Sequence, residues 1–328
     1  MIQTTLDRTG ADIADMEQYR AELTAYSYRM LGSSFEAEDA VQETFVRAWR
    51  SNEGFEGRST LRSWLYRIAT NVCLSMAGAR QRRARPMDLS ESATAATPLG
   101  EPLPDGTWVE PIPDGRIVPT GGDPADVTMA RESVRLAFVA ALQRLPPRQR
   151  AVLILREVLR WRADEVADLL GTTVASVNSA LQRARATLAT EAPSEADVLD
   201  PLDEAQRALL ARYVDAFERY DMGSLTALLH EEATQSMPPF ALWLVGPEEI
   251  ARWMLGPGSA CRGSRLVPVV ANGMPAFGQY KPSGPGGTLE PWAVNVLEIA
   301  DGRIVGLNWF LDTERLFPLF GLPPRLDP

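Results

Sequence analysis

The chain has 328 residues, of which 45% are hydrophobic and 23% are charged, so it has enough apolar material for more than one folded domain. No apolar stretch approaches the length of a bilayer span and no basic start precedes an apolar run, which predicts a cytosolic protein. Cys73 and Cys261 lie far apart without His or Cys neighbours at ligand spacing, so neither a disulfide framework nor a zinc site is supported. We expect two buried thiols, no metal and no cofactor.

The net charge of -10 conceals a separation of charge along the chain. Residues 58–85 carry +7 and residues 131–190 carry +5, whereas residues 86–130 carry -7 and residues 191–328 carry -9. Because the counterions around a nucleic acid respond to local positive patches, the acidic total leaves DNA binding by the two basic blocks open.

The segment EAEDAVQETFVRAWR predicts an amphipathic helix. Its apolar residues recur at three- and four-residue steps, which leaves Asp39, Gln42 and Glu43 on other faces. The predicted buried stripe consists of Val41, Phe45, Ala48 and Trp49.

A second helix is predicted in STLRSWLYRIATNVCLSMAGARQRR. Ser59 or Thr60 can cap its start, and its far end is a run of arginines.

Residues 86–130 predict an acidic linker. They hold eight acids against one Arg and are interrupted by Pro and Gly throughout, so this segment has no core of its own. Trp108, Val109 and Ile112 are apolar residues inside this polar sequence, which predicts that the segment docks onto another surface.

Residues 131–190 predict further helices that end in a helix-turn-helix. RADEVADLLG and TTVASVNSALQRARATL meet at Gly171, and Thr173 can cap the final helix. An ordinary antiparallel helix pair has the same spacing, but the positive charge favours DNA. The polar side chains suited to base edges and phosphates are those of Ser176, Asn178, Ser179, Gln182, Arg183 and Arg185.

The part from about residue 203 predicts an α+β domain. A long helical stretch comes first, and ADGR later joins two strand-like runs into a hairpin.

Three segments of the chain carry a family resemblance. DAVQETFVRAWR, LRSWLYRIATNVCL and LPPRQRAVLILREVLRWRADEVADLLGTTVASVNSALQRARATL, in this order, resemble regions two and four of a sigma-70 family RNA polymerase sigma factor of the extracytoplasmic-function type. The resemblance covers about residues 16 to 190. It implies two all-α modules that bind core RNA polymerase and promoter DNA and direct promoter-specific initiation.

The resemblance also implies roles for individual residues. Asp39, Gln42 and Glu43 would bind the polymerase β′ clamp helices, and the final helix would read the minus-thirty-five element. The second helix would melt and hold the minus-ten element, for which the candidates are Asn71, Arg80, Arg82 and Arg83. The linker would either thread through the polymerase toward the RNA exit path or act as a solvated tether.

Residues 203–328 resemble the SnoaL-like branch of the NTF2-like α+β cone fold, through the opening helix, LLHEEA and the DGRIVG hairpin. This fold encloses a pocket between a curved sheet and helices, which implies an unknown small-molecule ligand as a further partner. His230 is the only histidine, and we expect it to cap a helix end rather than to catalyse. The residues expected either to line the pocket or to fill a core are Trp243, Trp253, Tyr280, Trp292, Asn295, Asn308, Trp309 and Asp312.

The sequence thus predicts a multidomain sigma factor that is not an enzyme and whose C-terminal domain modulates its activity. The expected parts are residues 16–85, 86–130, 131–190 and 203–328. Two alternatives stay open: a helix-turn-helix regulator with a ligand-binding domain, and an enzyme whose cone domain is catalytic. Binding to core polymerase would distinguish a sigma factor from the helix-turn-helix regulator. Turnover of a ligand by the isolated cone domain would support the enzyme.

Overall fold

A computed structural model of the protein describes residues 13–51, 60–78, 82–118, 123–189, 203–283 and 285–327. These residues form two compact units. The first holds the described residues up to 78, together with 116–118 and 141–189. The second holds 82–115, 123–140 and the described residues from 203 onward.

The helices are α1 (Ile13–Glu17), α2 (Arg20–Leu31), α3 (Ser34–Arg50), α4 (Leu61–Gly78), α5 (Asp114–Ile117), α6 (Pro124–Glu132), α7 (Leu136–Gln143), α8 (Pro147–Leu153), α9 (Ala163–Leu170), α10 (Val174–Ala189), α11 (Glu204–Glu218), α12 (Met222–Thr226), α13 (Pro247–Leu255) and α14 (Thr313–Leu319). The strands are β1 (Leu229–Ser236), β2 (Trp243–Val245), β3 (Arg265–Ala271), β4 (Met274–Pro282), β5 (Leu289–Ala300) and β6 (Arg303–Phe310).

The first unit is entirely helical. Helices α2, α3 and α4 pack on one another, α8 and α9 both contact α4, and α10 packs on α8 and α9. In its core the Tyr26 hydroxyl hydrogen-bonds the Thr70 hydroxyl at 2.8 Å, and the rings of Tyr66 and Trp161 lie 5.1 Å apart. The two predicted helical modules therefore share one core.

Arg150 of α8 is hydrogen-bonded to several oxygens within this shared core. Its guanidinium is buried and donates to the carbonyls of Leu142 at 2.8 Å, Gln143 at 2.9 Å and Leu145 at 3.1 Å. It also donates to the side-chain Oε1 of Gln143 at 2.6 Å and to the carbonyl of Met30 at the end of α2. A buried cation is stable here because its donors are paired with oxygen acceptors.

The second unit contains a six-stranded sheet in the order β2-β1-β6-β5-β4-β3. Strands β1 and β6 are parallel, and the other neighbours are antiparallel. The predicted ADGR hairpin is confirmed: it joins β5 to β6 through Asp301 and Gly302, which have φ of 50° and 69°.

One face of this sheet packs against α11, α12 and α13. The cluster of buried residues includes Tyr213 of α11, Trp253 of α13 and, from the sheet, Phe277, Leu297 and Trp309. Because side chains alternate along a strand, the neighbours of these sheet residues point to the other face. The fold class expected from the sequence, two all-α modules and an α+β cone domain, is confirmed.

Three details differ from the sequence-based expectation. Helix α6 begins at Pro124, inside the stretch assigned to the linker, because the Asp123 carboxylate caps it by accepting from the Ala125 N–H at 2.9 Å. The long helix expected from residue 203 is broken at Tyr220, whose φ of 56° separates α11 from α12. Of the two thiols expected to be buried, Cys73 is buried and Cys261 is only partly so.

Candidate nucleic-acid interface

Helices α9 and α10 form the predicted helix-turn-helix. Gly171 between them has φ of 60°, a left-handed conformation that glycine adopts without steric cost. The Thr173 hydroxyl accepts from the Ser176 backbone N–H at 3.2 Å and caps α10, as predicted. Val177 and Leu181 are buried, which determines the face that α10 turns toward its neighbours.

The polar side chains predicted to contact DNA all lie on the exposed part of α10. Val174, the first residue of the same helix, is also exposed. Arg185 forms a 2.5 Å ion pair with Glu157, and a pair this exposed contributes little to stability. The exposed candidates are Ser176, Asn178, Ser179, Gln182, Arg183 and Arg185.

The minus-ten candidates fall into three groups. Asn71 of α4 and Arg82 are exposed, and Arg80 lies outside the described residues. Arg83 does not fit the prediction of a DNA contact: it is buried and donates Nη1 to the Trp108 carbonyl at 2.7 Å. Its guanidinium also lies 3.7 Å from the Glu110 carboxylate, so it is held by the segment that follows it.

Helix α3 presents the predicted polymerase-facing residues together. Asp39 and Gln42 are exposed and Glu43 is half-buried, with Glu43 accepting from Arg47 at 2.6 Å. Trp49, expected in the buried stripe, is instead 61% exposed, and Val46 is 40% exposed. Positions 39, 42, 43, 46 and 49 follow helical three- and four-residue steps, so one face carries acidic residues at one end and apolar residues at the other.

The predicted docking of the linker is confirmed within the second unit. Trp108, Val109 and Ile112 are all buried. Ala84 and Trp108 form an isolated parallel bridge, and Arg83 holds the Trp108 carbonyl. A solvated tether would expose these side chains, so that alternative is wrong for this segment.

Earlier in the linker, main-chain contacts attach it to β2 and α13. The Ala93 N–H donates to the Trp243 carbonyl at 2.8 Å, and the Trp243 indole N–H donates to the Ser90 carbonyl at 2.9 Å. The Ala95 N–H donates to the Glu249 carboxylate at 2.7 Å. The linker thereby extends the edge of the sheet.

The residues predicted to line a pocket are divided among different surroundings. Trp253 and Trp309 belong to the core cluster, and Trp292 packs against it. Trp243 is held by the linker. Two others lie away from this cluster: Tyr280 packs on Phe317 of α14, with 5.2 Å between the ring centroids, and Asn308 points to the opposite face of the sheet because it neighbours Trp309 in β6.

The core side of the sheet nevertheless carries several polar groups. Asn295 donates Nδ2 to the Tyr213 hydroxyl at 2.5 Å, and Trp309 donates Nε1 to Gln279 Oε1 at 3.0 Å. Burial raises the pKa of Tyr213 well above its usual range, so its hydroxyl stays protonated. The Oδ1 of Asn295 and the Oε1 of Gln235 are buried without a hydrogen-bond partner among the described residues. Gln235 was not predicted, although its alternation with Ala233 in β1 places it on this face.

His230 does not lie at a helix end. It is the second residue of β1, and its Nδ1 accepts from the Glu232 N–H at 3.2 Å. The expected helix-capping role is therefore wrong. Asp312, also considered for the pocket, caps α14 by accepting from the Arg315 N–H at 3.4 Å.

Comparison with known proteins identifies the parts of the chain. Residues 16–83 match the family model Sigma-70 region 2, residues 135–188 match Sigma-70, region 4, and residues 210–307 match the SnoaL-like domain. The ECF RNA polymerase sigma factor SigG of Mycobacterium tuberculosis (strain ATCC 25618 / H37Rv) is 46% identical over 325 residues, which cover 98% of this chain and 86% of the relative. This chain belongs to the ECF RNA polymerase sigma factors.

A second relative bears on the whole architecture of this sigma factor. ECF RNA polymerase sigma factor SigJ of Mycobacterium tuberculosis (strain ATCC 25618 / H37Rv) is 26% identical over 308 residues, covering 90% of each chain. A crystal structure of Mycobacterium tuberculosis SigJ superposes with a TM-score of 0.60 at 22% identity, covering 95% of this chain and 100% of that chain. This likeness supports the fold of the whole chain.

The predicted identity is therefore confirmed: this is a sigma factor of promoter-specific transcription initiation with a SnoaL-like domain. Among the described residues, no helix is both long and apolar enough to cross a membrane. Within the same residues, no group of three or more His, Cys, Asp or Glu side chains is arranged to hold a metal ion.

Proposed function

We propose that this sigma factor reads the minus-thirty-five element with the exposed face of α10. The observation that carries the proposal is the presence of six exposed polar residues on the second helix of a helix-turn-helix, within the stretch that matches region 4. Amides and guanidinium groups in this arrangement pair with base edges and phosphates in a major groove. The parts that we assign to promoter binding are residues 16–85 and 131–190.

For the minus-ten element we retain Asn71, Arg82 and Arg80, and we withdraw Arg83. An exposed amide suits unstacked bases and arginines suit the phosphates of a melted strand, whereas the Arg83 guanidinium is already bound to a buried carbonyl.

For core polymerase we propose the α3 face of Asp39, Gln42 and Glu43, extended by Val46 and Trp49, as the surface for the β′ clamp helices. An exposed Trp beside carboxylates has the composition of a binding hot spot, because a large apolar ring loses little entropy when it docks. Since RNA polymerase acts in the cytoplasm, we propose the cytoplasm as the site of action of this sigma factor.

We further propose that the SnoaL-like domain modulates initiation and that it acts without catalysing a reaction. Its support is the linker, whose apolar anchors are buried in the same unit as the sheet. We also infer a small hydrogen-bond-donating ligand for the interior of the cone, because the buried Asn295 Oδ1 and Gln235 Oε1 have no partner among the described residues. Native mass spectrometry of the purified chain tests the ligand: a retained small molecule that Asn295→Ala releases is expected, and an unliganded mass under mild conditions would contradict it.

Two matched glutamine variants test the sigma-factor mechanism. Gln182 of α10 and Gln42 of α3 are both exposed, so alanine removes an amide from each without disturbing a core. In-vitro transcription with core polymerase and a promoter library should yield products from a narrow promoter class. Q182A should weaken promoter binding and leave polymerase binding unchanged, and Q42A should do the reverse. DNA binding without any polymerase binding would instead favour the regulator with a ligand-binding domain.

Modulation by the SnoaL-like domain is tested at the linker contact. Trp243→Phe keeps an aromatic ring but removes the indole N–H that binds Ser90, and Trp292→Phe is the control on a half-buried Trp outside this contact. A change in transcript yield with W243F alone is expected. Equal yields and equal salt dependence of promoter binding for both variants would remove the regulatory role.

A further inference from the structure

The turn between β3 and β4 makes contacts that a hairpin turn does not need for its own fold. Asn272 and Gly273 form this turn with φ of 58° and 71°, so both backbones are left-handed. The Asn272 side chain is fully buried, although turn residues ordinarily face solvent.

The first contact of this turn is with the end of the linker. The Asn272 N–H donates to the Ile112 carbonyl at 3.1 Å, and the Ile112 N–H donates back to Asn272 Oδ1 at 3.0 Å. The Gly273 N–H donates to the Asp114 carboxylate at 2.8 Å, and Pro113 forms an antiparallel bridge with Ala271.

The second contact is with the residues that directly precede region 4. Asn272 Nδ2 donates to the Val134 carbonyl at 2.7 Å, and Asp114 lies 3.6 Å from the Arg131 guanidinium. A Cβ added to Gly273 would lie 2.8 Å from Arg131 Cβ and 3.0 Å from the Arg131 carbonyl, so only glycine fits this approach.

We propose that Asn272 and Gly273 are positioning residues for promoter recognition: the turn binds residues 112–114 and 131–134 together and so fixes the point from which the chain enters region 4. We name this arrangement the Asn272–Gly273 clasp. The Asn272 side chain accepts from the Ile112 N–H with its oxygen and donates to the Val134 carbonyl with its nitrogen. The turn itself requires neither of these hydrogen bonds. This inference rests on the proposed modulation by the SnoaL-like domain. The clasp would connect that domain to region 4 through residues 131–134, because the match to region 4 begins at residue 135.

The chain itself supplies a control for the substitution. Gly302 occupies the β5–β6 turn with φ of 69°, but a Cβ there meets no atom within 4 Å. Gly273→Val and Gly302→Val therefore impose a similar backbone strain in two turns of the same sheet, and only the first adds a clash with Arg131. Asn272→Asp is a milder variant, because Asp tolerates the left-handed turn and keeps an acceptor for Ile112 but loses the donor to Val134.

Hydrogen exchange of the full-length variants tests the clasp directly. In G273V and N272D, the amides of Ile112, Asp114 and residues 131–136 should exchange at least about tenfold faster than in the wild type, while amides of β5 keep their protection. G302V should leave the exchange of both segments unchanged. Equal exchange in G273V and G302V would overturn the clasp.

Transcription with core polymerase then tests the positioning role. The clasp variants should change the ratio of products from a promoter with and without its minus-thirty-five element by at least about threefold relative to the wild type, and G302V should not. Faster exchange with an unchanged ratio would overturn the positioning role and leave the clasp as a structural joint. Failure of the wild type itself to initiate on any promoter would refute the proposed function instead, and the exchange result would still decide the clasp.

Discussion

Replacement of Arg150 by methionine should destabilise the first unit more than any exposed substitution in the same helix. Arg150 donates to at least five oxygens: the carbonyls of Met30, Leu142, Gln143 and Leu145, and the side-chain Oε1 of Gln143. Methionine fills much of the same volume but leaves these acceptors without a donor.

The magnitude follows from the cost of unpaired buried groups. Each unsatisfied buried acceptor costs about 1–3 kcal/mol, although carbonyls near helix ends recover part of this from water. Removing one partner of a buried ionic network typically costs about 3–5 kcal/mol, and we expect R150M to fall in that range. With about 2–4 °C per kcal/mol for a protein of this size, the midpoint of thermal unfolding should fall by about 6–20 °C.

Differential scanning calorimetry on the full-length chain measures this shift. Arg148→Met is the matched control, because Arg148 is exposed on the same helix and its replacement should change stability by less than about 0.5 kcal/mol. Arg150→Lys should be intermediate, since an ammonium retains the charge but lacks the planar fork that reaches several carbonyls. Equal midpoints for R150M and R148M would refute the reasoning.

Three further outcomes are expected. Trp49→Ala should lower the affinity for core polymerase at least about tenfold, measured by fluorescence anisotropy, and should leave the free energy of unfolding within about 0.5 kcal/mol of the wild type, measured by urea titration. Leu255→Ala removes an apolar side chain of similar exposure and should change neither quantity. An unchanged affinity of W49A for polymerase would contradict the proposed docking surface. Arg183→Ala should reduce the slope of log promoter affinity against log salt by about 1 if this guanidinium contacts a phosphate, and an unchanged slope would exclude that contact. Burial raises the pKa of Asp114, so this carboxyl keeps its proton to higher pH in the folded state than in the unfolded state. The stability of the wild type relative to Asp114→Asn should therefore fall as the pH rises above about 4. A pH-independent difference between the two proteins in urea titrations would contradict this.

Local patterns predicted the helical elements and their ends because those depend on near neighbours in the chain. Thr173 caps α10 and Gly171 ends α9, as their residue types indicate. A helix start needs a side-chain acceptor about three residues before a free N–H, and a helix end often needs a residue in the left-handed conformation, so both signals lie in the local sequence. The missed start of α6 at Asp123 and Pro124 was equally local and carried the usual signal of a cap followed by proline.

The direction in which a side chain points depends on partners far along the chain, and there the predictions failed. Arg83 carries the charge expected of a phosphate contact, but a carbonyl twenty-five residues away binds it. Trp49 satisfies the apolar period of α3, yet no neighbour covers it in the described structure and its ring is 61% exposed. Periodicity locates a face, whereas tertiary packing decides whether that face is buried.

The same distinction applies to the turn at Asn272 and Gly273. An Asn-Gly pair between two apolar runs identifies a hairpin turn from sequence alone. Nothing in that pair indicates that its side chain binds two other segments, because Ile112 and Val134 are more than a hundred residues away. For the function of this sigma factor the turn matters through those contacts.

The contacts of the acidic linker in the second unit and the path toward the RNA exit that the family resemblance implies exclude each other. In the second unit, Glu110 lies 3.7 Å from Arg83 and 3.8 Å from Arg315, and Asp114 binds Gly273. A linker that followed the RNA exit path would have to present such carboxylates to basic groups of the polymerase instead. Those contacts with the SnoaL-like domain would then be broken and Arg83 would lose its partners in the linker. The position of the linker and the availability of the Arg83 guanidinium are thus coupled, because the same residues serve both.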